Sequence, residues 1–391
     1  MTNSERNIWI DVAKTVAIIG VVFQHLWGWA YDDEILYNSV FYAVGLFVII
    51  GGYNTYGSYL KRGSCPVLKR IVGIMIPYVV AVIVYVVASG NGKDPAEYIL
   101  RLVHFDACAP MYYVAVYLWL VIASPVLALV LNKCLRAGSC VMKMLRLGSS
   151  IVAVVIVSYL CTRYTDIFGI ILGGGMVFAG PWLMFHYVGM CIRGLEQMIA
   201  GESAACPEAV GTDTGTADRK KEKKDPGARR RKGFILLMLL TLSLLAWEYI
   251  FVIKGVNKGF GAIFGYGDIL LTWFGGLEIL LMMLWFVTAG RIAGYTKERE
   301  AAGGAETADS RKIQVYGQIF MAALGLPGRH SLYIFLYHIL FLRLYVDHLL
   351  TRMLHISHLL NRITLILTVF AGPVIISVIV NRLKTLVFSS K

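Results

Sequence analysis

Residues 8–30, IWIDVAKTVAIIGVVFQHLWGWA, constrain the chain more than any other stretch. A run of this length and apolarity can cross a bilayer, which needs about 20 such residues. It nevertheless contains Asp11, Lys14 and His25. Ionisable side chains inside a spanning helix are costly and face a protein interior or a wet cavity rather than lipid. Lys14 and His25 are eleven residues apart, which at ~100° per residue brings them to roughly the same side of a helix. Asp11 stands three residues before Lys14, on that side as well. One polar stripe therefore climbs an otherwise apolar helix. Its rise from Lys14 to His25 is about 16 Å, roughly half the hydrocarbon thickness. Taken singly, Asp11 and Lys14 fit an interfacial role and His25 a hydrogen-bonded core histidine. The three together favour a functional stripe that looks inward.

The rest of the chain has the composition of a polytopic membrane protein. Its 391 residues are 58% apolar, with a mean hydropathy of +0.66, which places it in the membrane class. The length suits a single membrane domain over 1–391, with no room for a large soluble one. The formal charge of +13 does not indicate nucleic acid, because Lys and Arg concentrate in alternate loops. The first apolar segment follows one basic residue, Arg6, and no small-residue cleavage site comes after it, so a signal peptide is not expected. The seven cysteines include no CxxC pair, and they indicate neither a disulfide framework nor a zinc site. No metal is expected.

Ten apolar segments are expected to span, with limits near 8–30, 37–59, 71–89, 111–131, 148–164, 176–193, 234–253, 267–289, 328–347 and 362–381. The expected fold class is all-α, a bundle of about ten transmembrane helices in a lipid bilayer. With the N-terminus inside, the cytosolic segments hold most of the positive charge, including Lys61, Arg62, Lys69, Arg70, Lys133, Arg136, Lys143 and Arg146. The outward loops keep only Lys93, Arg101, Lys254, Lys258 and Arg352. That asymmetry predicts a multi-pass protein of the cell membrane with both termini cytosolic.

The loops at 200–233 and 296–312 are polar and rich in small residues, and are read as flexible. The basic run closing the first is read as a topogenic block rather than a lipid site. Residues 313–328, broken by Gly325 and Pro327, are read as an interfacial helix leading into the ninth span. The sequence has no visible internal repeat, so the usual pointer to an inverted-repeat transporter is missing. His104 and Asp106, in the longest outward loop, are read as solvated residues of a non-helical stretch rather than as an acceptor site.

Two further regions carry candidate chemistry. The ninth span contains PGRHSLYIFLYHILF, residues 327–341. His338 lies deep enough to be buried, and Ser331, seven residues earlier, shares its face. Alone, His338 reads as a hydrogen-bonded core histidine. Spans two and three are joined by a segment that sets Lys61, Arg62, Lys69 and Arg70 at the cytosolic mouth. Such a cluster suits a phosphorylated cosubstrate; it suits topology and lipid head groups equally.

Together these pieces resemble the membrane-bound acyltransferase-3 family, whose members O-acylate sugars and cell-wall polymers. The family's opening Asp-x-x-Arg motif, followed ten residues later by His, is matched by Asp11-Val12-Ala13-Lys14 and His25. Its Phe-Phe-x-x-Ser-Gly signature is similar to LFVIIGG, residues 46–52, and its basic run ending in proline to KRIVGIMIPY, residues 69–78. The aromatic fourth span, MYYVAVYLWLVIASPVL, resembles a family segment closing on Pro125, and Ser-Leu-x-x-Tyr-Leu-x-His is matched by SLYIFLYH, residues 331–338. The chain departs twice: Lys14 stands where Arg is commoner, losing the bidentate fork for phosphate, and Ile50 stands where Ser is frequent.

The resemblance implies transfer of an acyl group, acetyl by family frequency, from cytosolic acyl-CoA to a hydroxyl of an extracytoplasmic carbohydrate or cell-envelope glycan. It makes His25 the general base or, alternatively, the nucleophile that accepts the acyl group covalently, with Asp11 orienting Lys14. Lys14, Lys69 and Arg70 would hold the acyl-CoA, and Ser331, Tyr337 and His338 would line the substrate cavity. Histidine suits the task because its proton exchanges near neutral pH. The rival expectation is a carrier or flippase for a lipid-linked sugar, with His25 as a proton relay. A third is an inactive sensor built on the same fold.

Overall fold

The computed structural model describes residues 7–90, 94–136, 139–163, 180–204, 226–255, 269–301, 308–349 and 358–389. Among these, the regular elements are helices: α1 (Ile8–Leu26), α2 (Glu34–Ser39), α3 (Tyr42–Arg62), α4 (Val67–Ala88), α5 (Pro95–His104), α6 (Tyr112–Arg136), α7 (Cys140–Arg163), α8 (Gly180–Ala204), α9 (Pro226–Trp247), α10 (Ile269–Ala301), α11 (Ala308–Leu324), α12 (Leu326–Arg329), α13 (Ser331–Leu344) and α14 (His358–Ser389). Short π-helical turns continue α9 to Ile253 and α13 to Leu349. The protein is an all-α polytopic membrane protein.

Among the described residues, eight helices are long and apolar enough to cross a bilayer. They account for eight of the ten expected spans. The other two, near 176–193 and 328–347, fall on α8 and α13. Helix α13 has only 14 residues, short for a crossing, but it is enclosed by α1, α4 and α14 rather than left to face lipid.

Helix α1 starts where the Asn7 side chain accepts from the Trp9 N–H, satisfying one of the otherwise orphaned donors. Its spanning window is 56% buried, against 17% for those of α7 and α9. So α1 is the central helix, while α7 and α9 show apolar faces outward. Helix α1 packs on α3, α10, α12 and α13. Helix α3 in turn crosses α8 at backbone contact. A Cβ on Gly52 would overlap the His186 carbonyl, and one on Gly189 the Ile49 carbonyl. Small residues allow this closeness where no hydrophobic force drives helices together.

Two sequence expectations change. His104, read as part of a non-helical stretch, ends α5, because the Asp94 side chain caps that helix through the Ala96 N–H and Pro95 fills its first turn. Arg101 then binds Glu97 at 2.8 Å and Asp106 at 3.1 Å, so Asp106 is held in an ion pair. Residues 226–233, expected to be flexible, begin α9; arginine and lysine are good helix formers there. Residues 313–324, expected to be helical, are so within α11, with Tyr316, Ile319 and Phe320 exposed. Of the other residues expected to be flexible, 200–204, 296–301 and 308–312 are helical within α8, α10 and α11, and 205–225 and 302–307 lie outside the described residues.

A charged cluster ties α3, α8 and α10 together at one end of the bundle. Glu196 accepts from Tyr53 Oη at 2.6 Å and from Arg193 at 2.7 Å, and Arg291 reaches its other oxygen at 3.2 Å. Removing the carboxylate leaves two half-buried guanidinium groups facing each other. Glu196→Ala is expected to cost about 1–3 kcal/mol, read as a lower Tm of the detergent-solubilised protein.

Candidate active site

Asp11 sits in the first turn of α1 and is 2% exposed. A buried carboxylate needs partners, and it has two cations. Lys14 approaches at 3.8 Å from the same helix, and Arg329 of α12 at 3.5 Å. The contact with α12 is intimate. The Gly328 N–H donates to Thr15 Oγ1 at 2.9 Å, and that hydroxyl donates to the Asp11 carbonyl at 3.1 Å. A Cβ on Gly328 would overlap the same carbonyl. Lys14 and Arg329 thus both bring positive charge to this end of α1.

Lys14 opens onto a cavity of about 410 Å³ between α1, α3, α4, α6 and α13. Its polar rim is Lys14, Asn54, Arg70 and Ser331; its walls include Phe47, Ile50, Gly51, Tyr113, Tyr117 and Phe335. Arg70 is fixed before any ligand arrives. Its guanidinium donates to Thr55 Oγ1, to Ser58 Oγ at 3.2 Å and to the Asn54 carbonyl at 3.4 Å. Lys69, the neighbouring candidate, is exposed on α4 and does not line this cavity. Ile50, at the position where the resembling family often carries Ser, presents only hydrocarbon to the space.

Beyond Phe335 the same face of α13 reaches His338. Ser331, Phe335 and His338 are spaced four and three apart, which stacks them on one helical face over about 10 Å. The Phe335 ring lies 5.3 Å from Tyr113 and 6.4 Å from His338, between centroids, so it stands at the boundary between cavity and imidazole. His338 is 1% exposed, and its ring is 5.1 Å from that of His25. Two helices more than 300 residues apart in sequence thus bring two imidazoles together. His25, in the last turn of α1, is half-buried. His25, His338 and Tyr337 are not among the residues lining the cavity; Tyr337 is buried and stacks on Tyr333.

The His338 tautomer follows from its contacts. Nδ1 is 2.9 Å from the carbonyls of both Ile334 and Phe335. Carbonyls only accept, so Nδ1 carries the hydrogen. Nε2 is then a bare lone pair, buried and without a hydrogen-bond partner among the described residues. The arrangement offers a positively charged, aromatic-walled cavity at one end of the α1 stripe and an imidazole pair at the other. It suits an anionic molecule whose reactive end must reach a base. Sequence reasoning missed Arg329 as the second partner of Asp11, although Arg329 stands inside the segment that carries Ser331 and His338. No sequence signal joins it to a residue more than 300 positions away.

A family model described as an acyltransferase domain, that of the acyltransferase-3 family, matches residues 7–382. No curated protein and no solved structure matches the chain.

Gly328→Ala is expected to push α12 off α1 and cost about 1–3 kcal/mol, the usual scale of overpacking. Gly317→Ala, in the interior of α11 where a Cβ meets open space, is the matched control and should keep or slightly raise Tm, since alanine is the better helix former.

Proposed function

The match over residues 7–382 places the chain in the acyltransferase-3 family, and from that membership we propose that it moves an acetyl group from cytosolic acyl-CoA to a hydroxyl of an extracytoplasmic carbohydrate or cell-envelope glycan. The family makes the protein a membrane acyltransferase; donor, acyl group, acceptor and residue roles are our reading. The distribution of Lys and Arg over the loops supports a cell-membrane protein with both termini cytosolic. In that orientation the Lys14 end of α1 faces the cytosol and the His25 end lies toward the outside.

The observation that carries the reading is the stripe itself. Lys14 and Arg70 border a cavity fit for the anionic, phosphate-bearing donor, with Lys69 at its approach. About 16 Å further along α1 stands His25, beside His338. A pantetheine arm has a reach of that order, so a thioester could extend from the cations to the imidazoles. Phe335 would have to turn aside as it passes.

In the reaction, the acceptor hydroxyl oxygen attacks the thioester carbonyl carbon. A C–O bond forms and the C–S bond breaks. His25 takes the hydroxyl proton, because a neutral sugar alcohol is a weak nucleophile, and returns it to the departing CoA sulfur. His338 is set up as a positioning residue. With its hydrogen fixed on Nδ1, its free Nε2 lone pair can accept the N–H of His25, leaving the other His25 nitrogen as the base. This is the orienting logic of a catalytic triad. Asp11 holds Lys14 and Arg329 in place, and Ser331 borders the donor's path.

Membranes containing the protein, given radiolabelled acetyl-CoA, should release CoA and label an acceptor. His25→Ala should lower that transfer at least ~100-fold, the scale of a lost general base, with membrane expression unchanged. Appreciable transfer by His25→Ala would defeat the assignment. Movement of a lipid-linked sugar without acylation would support a carrier instead. Arg70→Ala should raise the KM for acetyl-CoA roughly tenfold, as expected for a lost charge-assisted contact, and change kcat little.

A further inference from the structure

The wall of the cavity carries a hydroxyl that the chemistry described above leaves unused. Tyr113 of α6 lines the cavity. Its ring meets Phe335 of α13 at 5.3 Å and Phe47 of α3 at 6.4 Å, between centroids. Its hydroxyl makes no hydrogen bond among the described residues, and it is not one of their buried unpartnered polar atoms. The oxygen therefore keeps open surface, and the open space beside the ring is the cavity. Phenylalanine would fill the same place against Phe47 and Phe335. The hydroxyl adds a hydrogen-bond donor that the packing does not use.

The height of that donor along the cavity gives it a use. The other bordering side chains that can donate are Lys14, Asn54, Arg70, Ser331 and Tyr117. The first four gather at the Lys14 end: Arg70 is bonded to the Asn54 carbonyl, and Ser331 opens α13 beside Arg329, which pairs with Asp11. Phe47, the neighbour of Tyr113, stands seven residues before Asn54, about 10 Å away along α3. Tyr117 follows Tyr113 by four residues, about 6 Å along α6, within electrostatic reach of Arg70. Tyr113 is thus the donor at the far end, and one ring, Phe335, stands between it and His338. With Phe335 turned aside, the space it leaves lies between the Tyr113 hydroxyl and the imidazole pair.

We propose that Tyr113 is a catalytic residue, its hydroxyl donating to the carbonyl oxygen of the thioester. The proposal rests on the acyl-CoA reading above. As the acceptor oxygen bonds to the carbonyl carbon, the π pair of the C=O bond moves onto the carbonyl oxygen. The Tyr113 O–H stabilises the charge there and keeps its own proton. When the pair returns, the C–S bond breaks, and the sulfur leaves with its electrons and takes the proton held by His25. A donor fixed in an aromatic wall interacts more strongly with a developing charge than with a neutral carbonyl. His25 and His338 serve the proton; Tyr113 serves the oxygen that becomes charged.

Tyr113→Phe removes one oxygen and keeps the ring against Phe47 and Phe335. The measurement is transfer from radiolabelled acetyl-CoA by membranes containing the full-length protein, as rates per amount of protein. The variant should lose about 100-fold in kcat, the scale of one lost oxyanion donor. Its KM for acetyl-CoA should stay within about threefold of wild type, because the lost interaction is made in the transition state. Solubilised in detergent, it should keep the wild-type Tm. Tyr112→Phe deletes the same atom from the preceding residue, which does not line the cavity, and should keep the wild-type kcat. The proposal is overturned if Tyr113→Phe retains kcat, if its defect is a raised KM at unchanged kcat, if the loss comes with a lowered Tm, or if Tyr112→Phe loses as much. Wild-type protein that transfers no acetyl group instead defeats the acyl-CoA reading itself, and this inference with it.

Discussion

The structure depends on a carboxylate that has no business inside a membrane unless it is paired. Asp11 is almost fully buried, and the cost of burying it is met by Lys14 and Arg329. Those pairs do more than neutralise a charge. They lock the rotation of α1 about its axis, since Asp11 faces α12. With α1 so turned, Lys14 opens onto the cavity and His25 meets His338. A rotation that aimed Asp11 at lipid would carry the whole stripe with it. The backbone contacts of Gly328 with Asp11 and Thr15 make the same orientation a matter of close packing.

The cavity repeats this economy. Arg70 belongs to α4, but its guanidinium is held by three acceptors on α3, so its position is settled before an anion arrives. A preorganised cation loses less side-chain freedom on binding than a free one. The opposite end is organised by a hydrogen bond of a different kind. His338 spends its Nδ1 hydrogen on carbonyls of its own helix, which fixes where its lone pair lies. Charges at one end and a defined tautomer at the other give the α1 stripe a direction.

Much of this was legible from residue order. The lengths and apolarity of the segments indicated helices and a membrane, because the bilayer forces spanning segments to satisfy their own backbone. The spacing of Asp11, Lys14 and His25 put them on one side of α1, because an uninterrupted helix fixes angles over eleven residues. The pieces from Asp11 to His338 pointed to the acyltransferase-3 family, to which the chain belongs. Local reasoning failed where a boundary was decided by a cap, as at α5, or where a basic run joined a following apolar helix, as at α9.

Contacts between distant segments lay beyond that reasoning. Nothing near Asp11 in sequence indicates Arg329, nothing near His25 indicates how closely His338 approaches, and nothing near Gly52 indicates His186. Each pairing arises because two helices cross at a particular height and rotation, set by glycines that admit a neighbouring backbone and by ion pairs that tolerate only one register. The amino-acid order determined which helices form, that they cross a membrane, and which faces carry charge. The tertiary packing decided which faces meet, since helix-to-helix register is a property of the assembled surfaces and not of either helix alone.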